Sequence, residues 1–483
     1  MKETFEFTAN IKKWLFIMMG TGLVGLVIVF LMYGENGHAR FWTNILSNVY
    51  YFTGIGLFGL FAVSAATIAY GGWHTLVKRI LLSLSAFSVI GGFLLLGILL
   101  LGYANVHNLY NHAFEIVKDT TNNPAYTTKK VYFAPIFWIS RLVIYACAWA
   151  FASWGLNKFF ARTDQTDPKV YKRAKLYAAG FIVLFALTES AISWDMIMSL
   201  DPHWYSTLFG WYNFASYGCA AWAMTILLVI FLKSQGYLER VNENHVHDLG
   251  KLLFGFSIFW TYLWFDQFML QWYANIPEET LFWVKRFDEG YFKFTIFFAL
   301  IVNFIFPLFF LIKRSAKRNF KMIGFGAALL IFGHYVDFFN YTFVEPNWNE
   351  EAHAKKEEEE RKGDVALFFA QYEGHGHEAA AKEPAHAAEG GENALVGEKP
   401  AVGEVKAEKA EKGEAAEKNE GKGHHEEEEA INYAGIGLGE MLVFIGFLGA
   451  FLFMFFNNLK KRPIIPENDP YLKENEQLVV TWA

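Results

Sequence analysis

Ten stretches of the chain are almost unbroken runs of apolar residues, each close to the roughly 20 residues a helix needs to cross a bilayer core. They fall at about 13–33, 46–70, 80–103, 134–158, 176–199, 208–232, 250–274, 291–312, 322–343 and 433–457. Runs of this length exceed soluble strands, and the apolar–polar alternation of a membrane barrel is absent. The pattern therefore predicts an all-α integral membrane protein with ten transmembrane helices. It divides the chain into a nine-helix membrane region over 1–344, a charged stretch over 345–432, a tenth span over 433–458 and a tail over 459–483. The first run, Trp14 to Tyr33, is long enough to span and has no small-residue cleavage site after it, so it is expected to stay as a helix.

Polar residues between the runs set the expected orientation. With the N-terminus inside, the short inner segments hold twenty-two Lys and Arg, among them Lys12, Lys13, Lys78, Arg79, the clusters over 158–175 and 313–321, and Lys460, Lys461 and Arg462. The outer segments hold seven: Arg40, Lys118, Lys129, Lys130, Lys285, Arg286 and Lys293. Cations collect on the cytoplasmic side of membrane proteins. Both termini are thus expected to be cytoplasmic, with the turn Asp201–Pro202–His203–Trp204 facing out as a turn and docking element. Residues 345–432 contain "KKEEEERK", repeated Ala-Glu-Lys-Gly units and "KGHHEEEEA". That composition cannot bury enough apolar surface to offset its ordering entropy, so a disordered outer loop is expected. Six of the 14 histidines lie in it, and a solvated role is preferred there over metal binding.

Composition reinforces the pattern. Hydrophobic residues make up 54% of the chain and mean hydropathy is +0.19 even with the charged stretch included. Fifty Phe, 16 Trp and 23 Tyr suit a membrane protein, whose amphipathic rings gather at both interfaces. The only cysteines, Cys147 and Cys219, each sit inside an apolar run, which leaves disulfide scaffolds, iron–sulfur ligation and c-type haem attachment unsupported. Nor is there a histidine pair placed to ligate a b-type haem, a Walker loop or a dinucleotide fingerprint. No metal site is expected, and any redox metal serving this chain must belong to a partner.

Ionisable groups inside apolar runs are costly, so each is a candidate for function. They are Arg141, Glu189, Asp195, Asp266, His334, Asp337 and Glu440. His334, Asp337 and Tyr341 are spaced to share one helix face, and an imidazole beside a carboxylate can take up and orient a proton. Thr188, Asp195 and Ser199 form a second stripe, while Glu189 points elsewhere with Ser193 and Met196. Tyr262, Asp266 and Tyr273 form a third stripe, next to one of Trp264, Gln267 and Gln271. Asp195, Asp266 and Asp337 also stand 71 residues apart, in keeping with a repeated helical hairpin. Three helices are thus expected to offer carboxylates to one outer cavity, with Trp194, Tyr262, Trp264 and Gln267 as its quinone-binding walls. A flat aromatic headgroup that releases protons, a quinol, suits such a cavity. Arg141 is expected to pair with Glu189 or an aspartate as a relay or ion pair, and Glu440 to reach outward from near the start of its helix.

Two segments carry a resemblance. "TESAISWDMIMSLDPHWYSTLFGWYNF" (Thr188 to Phe214) and "FWTYLWFDQFMLQWYANIPEET" (Phe259 to Thr280) resemble the NrfD/polysulfide-reductase integral membrane subunits. Within these they are most similar to the ActF-type quinone-binding subunits of bacterial alternative complex III. The resemblance implies two four-helix bundles, spans two to five and six to nine, flanked by spans one and ten in a bacterial inner membrane. It implies a subunit with no redox cofactor of its own, using menaquinone or ubiquinone as substrate. Its partners would be a paralogous membrane subunit, multihaem cytochrome c subunits with haem c, an iron–sulfur protein and, in some assemblies, a terminal oxidase; no nucleic acid is involved. The assembly would oxidise quinol and reduce cytochrome c or the oxidase. The family places the headgroup near the outer face of the first bundle with His and Asp as partners. Asp195 and Asp266 match in kind, whereas His107 and His112 come at or after the end of the third span, so no buried histidine is expected there. That departure shifts the expected role toward proton conduction or support. The alternatives from other classes are a proton-coupled secondary transporter and a structural anchor for outer-face redox subunits.

Overall fold

The computed structural model describes residues 4–32, 37–118, 124–162, 168–288, 290–343 and 436–477. The charged stretch 345–432 lies outside the described residues, and so does the loop expected there. Within the described residues the chain is helical, apart from one isolated antiparallel bridge between Thr4 and Pro463.

Apolar runs become long helices because a helix satisfies every backbone N–H and C=O internally, as an environment without water requires. They are α1 (Ala9–Met32), α2 (Gly37–Ile68), α3 (Lys78–Leu84) continued after Ser85 by α4 (Ala86–Tyr103), α7 (Pro135–Arg162), α8 (Pro168–Met196), α9 (Leu208–Ser234), α10 (Glu243–Ala274) and α15 (Phe320–Thr342). Two more complete the set: α12 (Gly290–Leu300), joined through a π turn at Ile301–Ile305 to α13 (Phe306–Phe310), and α16 (Leu438–Leu459). Shorter helices α5 (Asn111–Lys118), α6 (Pro124–Tyr132), α11 (Pro277–Asp288), α14 (Arg314–Arg318) and α17 (Leu472–Glu476) lie in the connections. Helix starts follow local chemistry. Pro135 and Pro168 open α7 and α8 with residues that need no intrahelical donor. Asn242 caps α10 by accepting from the backbone of Asn244 and His245, and Asn319 does the same for α15.

Nine spans among the described residues are long and apolar enough to cross a membrane, which makes this a multi-pass, all-α membrane protein. The run at 250–274 forms the long helix α10, but its polar side chains, Asp248, Lys251, Asp266, Gln267 and Gln271 among them, keep it below the apolarity of the other nine.

Helix α2 packs on α4 and α8, and α7 packs on both of these, closing a ring of four. A second ring joins α9 to α10 and α15, with the α12–α13 segment between them. The rings meet where α9 lies against α2 and α8, and both α2 and α9 are enclosed through most of their length. Helix α1 buries only Leu15, Gly22, Gly25 and Val29, and packs antiparallel along α16. The contact there is backbone on backbone: a Cβ added at Gly22 would stand 2.5 Å from the Gly446 Cα, so only glycine permits the approach.

At the end where α2 finishes and α10 starts, the C-terminal segment works as a strap. Asp469 accepts from Lys78 Nζ at 2.7 Å, Asn475 Oδ1 from the Leu76 amide at 3.3 Å, and Arg240 pairs with Glu467 and Glu476. His245 Nε2 meets the Asn475 carbonyl at 2.9 Å.

Candidate functional site

The interior acids fall into separate clusters. On α15, Asp337 is buried with no cation among its contacts with the described residues. Its Oδ1 accepts a short bond from the Tyr212 hydroxyl of α9, and its Oδ2 accepts from Trp260 Nε1 of α10 at 3.0 Å and Ser216 Oγ at 3.3 Å. Ser216 also lies 3.0 Å from Nδ1 of His334, one turn back along α15. With the Ser216 hydroxyl donating to Asp337, His334 carries its proton on Nδ1 and donates to Ser216 Oγ. Its Nε2 is then a bare acceptor, fully buried and without a hydrogen-bond partner. The Trp260 ring stands edge-on to the imidazole, with centroids 5.3 Å apart. A proton arriving at Nε2 can leave from Nδ1 through Ser216 to Asp337, a three-member relay.

Aromatic side chains close this cluster toward the α11 end. Tyr341 packs on Tyr212, Phe282 of α11 packs on Tyr341, and Trp204 stacks on Phe282 at 3.7 Å. Arg286 is buried over the Phe282 ring at 3.5 Å. The turn after α8, expected to be a docking element, is thus partly internal: Trp204 is buried, and Asp201 is buried and accepts from the His203 amide.

Glu189 forms the second cluster, on α8 where the two rings meet. Hydroxyls surround it: Ser190 Oγ donates at 3.3 Å, Ser193 Oγ lies at 3.5 Å, and Tyr50 of α2 reaches Ser193 at 2.6 Å. Tyr217 of α9 is its other phenolic neighbour. Arg141 does not reach it.

Asp195 takes that arginine instead. Arg141 grips it in two bonds, Nε to Oδ2 at 3.0 Å and Nη2 to Oδ1 at 2.7 Å, and donates a third to the Tyr132 carbonyl. The guanidinium is sandwiched between the Tyr132 and Phe137 rings at 4.1 and 4.4 Å. Tyr132, in α6 outside the spans, has its phenol pushed up by burial and then by the Asp195 charge. Nearby, the Tyr110 hydroxyl donates to the Met196 carbonyl and its ring lies 6.2 Å from His107.

Several expectations are corrected here. His107, at the end of its helix and not expected to be buried, is buried: the chain after α4 folds back, so that Nε2 meets the Ile98 carbonyl at 2.8 Å and the ring packs on Trp42. Burial pushes this imidazole's pKa down. No contact among the described residues joins the three aspartates. The buried positions of α10 run through Ser257, Trp260, Gln267 and Gln271, whereas Asp266 is half-buried beside exposed Tyr262 and Phe265, turned away from Asp195 and Asp337. The four expected pocket walls are likewise dispersed. Trp194 stays half-buried on α8, Tyr262 is 59% exposed, Trp264 stacks on Phe268, and Gln267 is buried with both amide atoms unpartnered. Glu440 does not reach outward: it is fully buried, bonds Arg40 at 2.6 Å and caps its own helix through the Gly437 amide.

Sequence reasoning also missed Tyr212, Ser216 and Trp260, whose residue types are ordinary in membrane helices, and Asn303. The last lies in the π turn, fully buried against Gly333 with both amide atoms unpartnered. Buried polar atoms are nearly always bonded, to protein or to water, so His334 Nε2, Gln267 and Asn303 mark places where water or a ligand's polar atom fits. Cavities of about 450, 600 and 630 Å³ are among those that open on the described residues, and these three are not lined by the acids. The first, between α1, α16 and the second ring, is apolar and has nothing to fix a headgroup. Among the described residues no group of three or more His, Cys, Asp or Glu is placed to hold a metal ion. Compared with known proteins, the chain matches no family model and no curated protein.

Proposed function

We propose that this chain is a membrane subunit of a quinol-oxidising respiratory complex in a bacterial inner membrane, where it handles protons and carries no redox centre of its own. The observation that carries the reading is the buried Asp337–Ser216–His334 chain, a carboxylate and an imidazole bridged by a hydroxyl with no cation bonded to it among the described residues. Such an arrangement is costly to bury and suits proton transfer better than packing. In this reading α10 also crosses the membrane, as the seventh of ten spans, and both termini are cytoplasmic. Quinol oxidation gives two electrons to an iron–sulfur protein partner and on to multihaem cytochrome c subunits, and two protons to carboxylate and imidazole acceptors. The quinol is menaquinol or ubiquinol, and the neighbouring membrane subunit is a paralogue. His107 together with the Arg141–Asp195 pair gives the α4–α8 end of the first ring the residue types a quinol headgroup uses.

The test uses the intact complex. Asp337→Asn and His334→Gln are expected to assemble with unchanged haem and iron–sulfur absorbance, yet to lower quinol-linked proton release by about 10², the usual contribution of a positioned acid–base group. Unchanged quinol oxidation and proton release in both variants would overturn the reading and leave a structural anchor. The exposed Tyr262, Phe265, Trp272 and Tyr273 face of α10 favours that second reading. A chain that purifies without haem or iron–sulfur absorbance would point instead to a transporter.

A further inference from the structure

Where α3 begins and α7 and α16 end, a groove of about 600 Å³ opens between the three helices. Four cations line it: Arg79, Lys158, Lys461 and Arg462. Among the described residues that line it, none is acidic. Asp469, whose charge acts on Arg79, lies outside the lining and is bonded to Lys78 at 2.7 Å. Arg79 and Arg462 stand close enough to repel one another. The floor is polar and built, with Ser153 Oγ and Asn157 Nδ2 both donating to Ser85 Oγ at 3.1 Å, and Arg462 bonded to the Asn157 carbonyl. The wall becomes apolar and opens outward at Ile90 and Trp154, 48% and 58% exposed, with Lys158 Nζ 4.5 Å from the centre of the Trp154 ring.

We propose that this groove binds an anionic phospholipid, with its phosphate among the four cations and an acyl chain along Ile90 and Trp154. Like charges gathered around one concavity repel unless an anion sits between them, and phosphate is the anion that basic residues at this depth of a membrane meet. The apolar wall selects a lipid over free phosphate. A second basic surface at the same end, around Lys172 and Arg173, borders a cavity without that serine–asparagine floor and serves as the control.

The experiment takes the complex that contains the full chain, strips it of lipid in detergent, and adds back phosphatidylglycerol, phosphatidylcholine or inorganic phosphate. Retained lipid is counted by native mass spectrometry, and protection is read as a shift in the melting temperature. One phosphatidylglycerol is expected per groove, with the Lys158→Gln/Lys461→Gln variant binding about 30-fold more weakly. That figure follows from about 1 kcal/mol for each basic residue at an anionic membrane surface and tenfold per 1.4 kcal/mol. The Lys172→Gln/Arg173→Gln variant is expected to bind as the parent does. Equal retention of phosphatidylcholine, equal protection by inorganic phosphate, or equal loss in the control variant would each overturn the proposal.

Discussion

Removing one partner from the Arg141–Asp195 pair gives an asymmetric result that the geometry specifies. Asp195 is fully buried, and its two oxygens take bonds of 3.0 and 2.7 Å from one guanidinium, the short charge-assisted kind. The arginine side chain is 13% exposed and keeps the Tyr132 carbonyl and two aromatic faces when the carboxylate goes. Arg141→Gln therefore strands a buried carboxylate and is expected to cost about 3–5 kcal/mol, whereas Asp195→Asn leaves a cation that can hydrate and costs about half as much. The double variant Arg141→Gln/Asp195→Asn, with no charge to strand, is expected to recover most of the loss in a double-mutant cycle. Unfolding in mixed detergent–denaturant micelles, followed by tryptophan fluorescence, measures all four species. Arg141→Gln within about 1 kcal/mol of the parent, or Asp195→Asn the worse of the two singles, would refute the reasoning.

Two further predictions rest on packing and on pH. Gly446→Leu pushes a side chain into the Gly22 Cα, which already lies 2.4 Å from the site of an added Cβ, and is expected to cost upward of about 3 kcal/mol and to loosen α1. Gly20→Ala, with nothing within 4 Å, should be neutral in the same thermal melt, and equal effects at the two sites would refute the backbone contact. His74, in the turn before α3, has its pKa lowered to about 4 by burial and then by Lys78. A lowered histidine pKa gives stability that is whole above the unfolded value near 6.5 and is lost as pH falls toward 4, about 2 kcal/mol by pH 5. His74→Gln should flatten the stability difference between pH 7 and pH 5 by that amount, and an unchanged slope would count against the assignment.

Helix positions were legible because an apolar run of about 20 residues has few alternatives in a membrane. The spacing of His334 and Asp337 was legible too, since three residues make nearly one turn. What periodicity withholds is where a face points. Asp266 shares a stripe with Tyr262 and Tyr273, as the spacing requires, but the stripe is the exposed one. Partners distant in sequence are equally hidden. Arg141 had to neutralise some acid, yet nothing along the chain distinguishes Glu189 from Asp195, six residues apart on α8. His107 was misjudged because a residue past a helix end is usually solvated, and no local signal announces that the loop folds back onto Trp42.

The two cation-free acids, Glu189 and Asp337, are divided by α9. Tyr212 and Ser216 are one turn apart on that helix and both reach Asp337, while Tyr217, the next residue and about 100° further around, faces Glu189 and Tyr50. Tyr217 fills the space left by Gly54 of α2, where an added Cβ would stand 2.6 Å from its ring, so it cannot swing toward Asp337 without leaving a void. No hydrogen bond between described side chains crosses from one acid's shell to the other. Any passage of protons between them needs water at the meeting of the two rings, and any coupling without water must act through movement of α9 itself. The two routes separate by experiment. Tyr217→Phe keeps the ring and removes the hydroxyl, so it disturbs a water path that the phenol helps to anchor while leaving the position of α9 and the Tyr212–Asp337 bond intact.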